Sequence, residues 1–127
     1  MERRKINAAD APVSVGGYSQ AVEVRSPERT LYISGQIPVA ADGTLPESFG
    51  DQARLVWRNI EAQLRAADMS LDNLVKVNVF LADRAYALEN RAVRAEILQD
   101  RAPAMSVIIT EIFDSAWLLE IEAIAVA

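Results

Sequence analysis

Residues 117–126 constrain the fold of this chain more than any other stretch. Trp117, Leu119, Ile121, Ala123 and Ala125 form one wholly apolar set, and Leu118, Glu120, Glu122, Ile124 and Val126 alternate with them. Such alternation reads as a β-strand, because successive side chains point to opposite faces of a sheet. The first face needs covering by other elements of the chain. The second mixes greasy side chains with two acids, and a lone domain would leave the greasy ones wet. We read that face as a surface that meets another subunit.

Two upstream segments can cover the first face. Ala53, Val56, Trp57, Ile60, Leu64 and Ala67 recur at helical spacing and predict a helix over about 50–67. Asp51 lies in its first turn, where a carboxylate suits the helix dipole. A second helix is predicted over about 84–98, with Tyr86, Val93, Ile97 and Leu98 as its stripe and Asn90 inside that stripe. The chain then breaks at Arg101-Ala102-Pro103. Between the helices, residues 74–81 read as a strand with Val75, Val77, Val79 and Leu81 opposite Lys76, Asn78 and Phe80. Residues 105–111 supply another. Residues 18–25 and 30–34 flank the turn Ser26-Pro27-Glu28 and predict a hairpin. Glu2-Arg3-Arg4-Lys5 is expected to be a solvated tail. The order β-β-α-β-α-β-β implies an α+β class: a two-layer domain in which a mixed sheet carries two helices on one face. At 127 residues the chain is expected to be a single domain.

Two absences exclude most chemistry. The chain has no Cys and no His, so it has no disulfide, thiolate nucleophile, histidine base or typical zinc site. No tight acidic cluster suggests a metal, and none is expected. With 18 acidic and 13 basic residues, the net charge of −5 argues against nucleic acid as a partner. No apolar run reaches the length of a membrane span, and no secretory leader is visible, so no membrane partner and a cytoplasmic location are expected.

Several stretches resemble one known family. They are Gly17-Tyr18-Ser19-Gln20-Ala21-Val22, Ser34-Gly35-Gln36-Ile37-Pro38, Gln52 and Asn59 on the first helix, residues 75–81, Asn90, Pro103-Ala104 and Glu120-Ile121-Glu122-Ala123-Ile124-Ala125. Together they look like the Rid family, the reactive intermediate deaminases also called YjgF or L-PSP proteins. The resemblance covers about 11–126. It implies a chorismate-mutase-like fold and a homotrimer with small-molecule clefts between subunits. It also implies, for the RidA-type members, cofactor-independent hydrolysis of enamines and imines such as 2-aminoacrylate.

The resemblance further implies a set of site residues. Glu120 matches the family acid that orients water or shuttles a proton, and is the expected catalytic residue. Tyr18, Ser34, Gly35 and Asn90 match ligand-binding positions. Met105 stands where the family carries an arginine that clamps the substrate carboxylate, and a thioether cannot neutralise a carboxylate. The expectation is therefore a protein outside the RidA-type subgroup, acting on or binding a small imine-like metabolite that depends less on such a clamp. Two alternatives stay open. One is an active deaminase that uses another arginine; Arg29, Arg54 and Arg101 come into question, and spacing places none of them in the cleft. The other is a non-catalytic ligand-binding or regulatory protein.

Overall fold

The computed structural model describes residues 1–127. Its elements run β1 (Glu2–Ile6), β2 (Ala21–Arg25), β3 (Thr30–Gln36), α1 (Phe49–Ala66), β4 (Leu74–Leu81), α2 (Ala87–Leu98), β5 (Ala104–Ile109) and β6 (Leu119–Val126). Single 3₁₀ turns precede β4 and α2. The main sheet has the order β3-β6-β4-β5, and β1 and β2 form a separate two-stranded sheet. β6 runs antiparallel to both β3 and β4, whereas β4 and β5 are parallel. Parallel neighbours need a crossover, and α2 supplies it. The expected α+β class, with both helices on one face of a mixed sheet, is what the chain adopts.

The core sits between that sheet face and the helices. Val56, Trp57, Ile60 and Leu64 of α1 meet Val77, Val79 and Leu81 of β4 and Leu119, Ile121, Ala123 and Ala125 of β6. Burial of each large side chain here contributes about 1.5–3 kcal/mol. α1 starts at Ser48, whose hydroxyl accepts from the Asp51 amide at 3.2 Å. Val93 and Leu98 bring α2 onto the same core. Phe49 stacks on Tyr86 at 4.6 Å, which ties the starts of the two helices together. No helix is long and apolar enough to cross a membrane.

Two expectations fail at the N-terminus. Residues 2–5 are solvent-exposed as expected but are not a tail: with Ile6 they form strand β1, paired antiparallel with β2. The predicted hairpin of 18–25 with 30–34 does not form, because β2 pairs with β1 and β3 pairs with β6. The physical reason is charge and apolarity. Arg4 lies opposite Glu23 in the register, within 3.6 Å of its carboxylate. β3 offers Ile33 to the core, which β2 cannot match. β2 also begins only at Ala21, which leaves Tyr18-Ser19-Gln20 free to lie along β5. Ser19 bridges Ala104 in parallel there, its amide donating to the Pro103 carbonyl at 3.1 Å and its hydroxyl to the Ala102 carbonyl at 2.5 Å.

Candidate functional site

Three of the expected site residues converge. Tyr18, Asn90 and Met105 line one cavity of about 300 Å³, together with Arg91, Arg94 and Val107. Three segments build it. The loop before β2 brings Tyr18, held by the Ser19 bonds. α2 presents Asn90, Arg91 and Arg94 along one side. β5 presents Met105 and Val107, two residues apart and so on the same sheet face. Met105 is registered with Val77 of β4, so it points to the helix side of the sheet.

Asn90 is 97% buried, its relative exposure being 3%. Its amide makes no hydrogen bond within the chain and opens onto the cavity, where it is not sealed from solvent. Arg94 was not anticipated. It is only 6% exposed and has no carboxylate partner. Its Nη1 donates to the Met105 sulfur at 3.1 Å and its Nη2 to the Gly16 carbonyl at 2.7 Å. Burial, and then the neighbouring Arg91 charge, lower the Arg94 pKa, and Tyr18 opposes them. The signal for Arg94 was present in the sequence: it stands four residues after Asn90, on the same helical stripe. Gly16 lies at φ +100°, and a Cβ there would fall 3.0 Å from Arg94 Nη2 and 3.1 Å from Arg91 Nε. A glycine at this turn therefore lets the backbone reach both guanidinium groups.

The arginines considered from spacing are all engaged elsewhere. Arg101 pairs with Asp72 at 2.6 Å, Arg54 with Glu96 at 3.0 Å, and Arg29 donates to the Ala67 carbonyl at 2.7 Å.

Ser34, Gly35 and Glu120 lie apart from that cavity. Glu120 alternates with the fully buried Leu119 and Ile121, so it projects from the sheet face opposite the helices. Two strand steps separate β6 from β5. Glu120 is half-buried and accepts no hydrogen bond within the chain, whereas Glu122 on the same face accepts from Asn78 Nδ2 at 3.1 Å. The Glu120 carboxylate lies over Gly35, where a Cβ would fall 1.9 Å from Oε2. A glycine at position 35 is thus needed for the Glu120 carboxylate to lie there. It sits within an irregular stretch of the β3–β6 register. Ser34 is exposed and lines a shallow cavity on the open face with Tyr32, Lys76, Asn78 and Glu122. No group of acidic side chains is arranged to hold a metal ion.

Two motif residues on α1 brace these parts. Gln52 is buried; its Nε2 donates to the carbonyls of Pro46 and Ala116, and its Oε1 accepts from the Leu118 amide, which fixes the entry to β6 just before Glu120. Asn59 Nδ2 donates to the carbonyls of Ile37 and Val39, which fixes the exit from β3 just after Gly35.

Known proteins with this arrangement of elements match along the whole chain. A family model described as Endoribonuclease L-PSP covers residues 8–127. The chain is 39% identical over 116 residues to protein HMF1 of Saccharomyces cerevisiae, across 91% of this chain and 88% of that protein. It is 36% identical over 126 residues to the 2-iminobutanoate/2-iminopropanoate deaminase of Bos taurus, across 98% and 90%. Among solved structures, the Rid-family protein YyfB of Yersinia pestis matches with a TM-score of 0.88 at 30% identity, over 100% of both chains. Agreement from end to end in sequence and in fold makes this chain a member of the Rid/YjgF family.

Proposed function

We propose that the protein is a cofactor-independent hydrolase of small imines and enamines, acting in clefts completed between the subunits of a homotrimer. One observation carries this reading: each chain holds two unfinished half-sites. One is the cavity with the unpartnered Asn90 amide, and the other is the unpaired Glu120 carboxylate seated on Gly35. They lie on opposite faces of one sheet, so joining them takes a second copy. A relative that covers nearly the same length is named for deamination of 2-iminobutanoate and 2-iminopropanoate.

The chemistry asks little of the protein beyond positioning and one proton carrier. Glu120 takes a proton from water as the oxygen attacks the carbon of the protonated imine; the C–O bond forms and the C=N π pair moves onto nitrogen, leaving a neutral amine. Glu120 then gives its proton to that amine. The C–N bond breaks with its pair leaving on ammonia, the C=O bond forms, and Glu120 takes the hydroxyl proton and passes it to the departing ammonia, so that the carbonyl product and ammonium leave. A carboxylate can shuttle a proton in this way without a metal or organic cofactor. Tyr18 and Asn90 hold the ligand, and the Ser34–Gly35 backbone borders the acid.

The test generates 2-iminobutanoate in situ from threonine with a pyridoxal-phosphate-dependent dehydratase and follows 2-oxobutanoate. The wild-type protein should accelerate its release above the spontaneous rate, and Glu120→Gln should lower that acceleration by at least about 10²-fold. A wild type with no effect on imine decay would end the hydrolase reading.

A further inference from the structure

We infer that Arg94, acting from helix α2, binds the carboxylate of a small 2-imino or 2-oxo acid in the Tyr18–Asn90–Met105 cavity, in place of an arginine on β5. The inference rests on the proposed function only for the reaction that follows; the binding site stands on its own geometry. An arginine side chain carries five N–H donors and keeps its charge at neutral pH. Two of the Arg94 donors meet the Gly16 carbonyl and the Met105 sulfur. A thioether is a weak acceptor, and no carboxylate of this chain reaches the group. A cation as buried as this is ordinarily paired. Arg94 is therefore a buried charge whose counter-ion is absent from its own chain.

The surroundings define what that counter-ion is. The cavity of about 300 Å³ takes a molecule of a few heavy atoms. Arg91 at its rim adds a second positive charge, and none of its lining residues is acidic. Asn90 offers an unused amide donor and acceptor beside the guanidinium. Val107 and the flexible Met105 side chain supply apolar walls for a short alkyl group. A planar guanidinium matches a carboxylate by two parallel hydrogen bonds, and the stronger acceptor displaces the sulfur from Nη1. The site thus fits a short-chain monocarboxylate with a carbonyl or imine next to the acid. The charge lost at position 105 of the strand is supplied by the helix that packs over it.

The experiment is calorimetric titration of the assembled protein with 2-oxobutanoate and with its neutral isostere, 2-oxobutanamide. Wild type should bind the acid at least about tenfold more tightly than the amide, and Arg94→Gln should weaken acid binding roughly 10- to 100-fold while leaving amide binding alone. Arg58→Gln, an exposed charge outside the cavity, should change neither. Arg94→Lys keeps the charge and most of the stem but not the fork; its intermediate affinity carries the test if Arg94→Gln fails to fold. Arg94→Gln with Met105→Arg should recover the preference for the acid. Equal affinity for acid and amide, or unchanged acid binding in Arg94→Gln, overturns the inference. Arg94-dependent acid binding without imine hydrolysis would sink the hydrolase reading and leave this site standing. Hydrolysis undiminished in Arg94→Gln would do the reverse.

Discussion

The contact between Gly35 and Glu120 makes a separable prediction. A methyl group at position 35 would lie 1.9 Å from Oε2 and 2.7 Å from Cδ of Glu120, both at the far end of a flexible side chain. The backbone at Gly35 does not have the positive φ that would strain an alanine. Gly35→Ala should therefore keep the wild-type thermal midpoint while swinging the carboxylate away, and kcat should fall by about 10²-fold, the usual contribution of a positioned proton carrier. Unchanged kcat in a folded Gly35→Ala protein would show that the position of Glu120 is irrelevant to turnover. Both residues were legible in the sequence through family resemblance, but the reason for the glycine was not, since it depends on β3 and β6 being neighbours. Arg94 was missed for a different reason. Spacing along the chain from position 105 brings Arg29, Arg54 and Arg101 into question and places none of them in the cleft. Helical period was the relevant ruler: Arg94 follows Asn90 by four residues on one stripe, and α2 lays that stripe over β5.

At the scale of elements, periodicity located what carries the core. The strand over 74–81 and the helix over about 50–67 follow their apolar repeats, because those repeats are the packing surfaces themselves. β1 was illegible for the same reason, whereas β2 falls inside the strand expected over 18–25 and only its partner differs. β1 is charged at four of its five positions and pairs with β2 through cross-strand charge and backbone bonds, without an apolar repeat that sequence could reveal. The motif residues on α1 brace loops. Gln52→Leu would strip partners from two carbonyls and one amide that the side chain now satisfies. With unsatisfied buried groups costing about 1–3 kcal/mol each, the protein should lose about 3 kcal/mol or more. Its thermal midpoint should drop by roughly 10 °C. The same variant should lose activity at temperatures where it is still folded, since the entry to β6 positions Glu120. A midpoint within a degree of wild type would mean that the residue 114–118 turn does not depend on Gln52.

For the whole molecule, the decisive feature is a sheet with helices on one face only. The other face exposes Tyr32 and Ile108 and leaves Phe80 and Ile124 half-buried around Lys76, Asn78 and Glu122. That face was inferred from the alternation of residues 117–126, and its apolar side chains favour burial against a second copy. Val126 departs from the pattern, being buried despite its parity. The proposed trimer gives the open face a partner and places Glu120 of one subunit at the cavity of the next. Two inactive variants can test this directly. Asn90→Leu alters the cavity at a side chain that makes no bond within its own chain, and Glu120→Gln removes the proton carrier. Each alone should be inactive at three times the chain mass by light scattering. Equal amounts unfolded and reassembled together should regain about a quarter of wild-type activity, because in a closed ring of random composition about one interface in four joins an intact cavity to an intact acid. If both halves of the site served within one chain, every mixed assembly would still carry a defect in each site, and no activity would return.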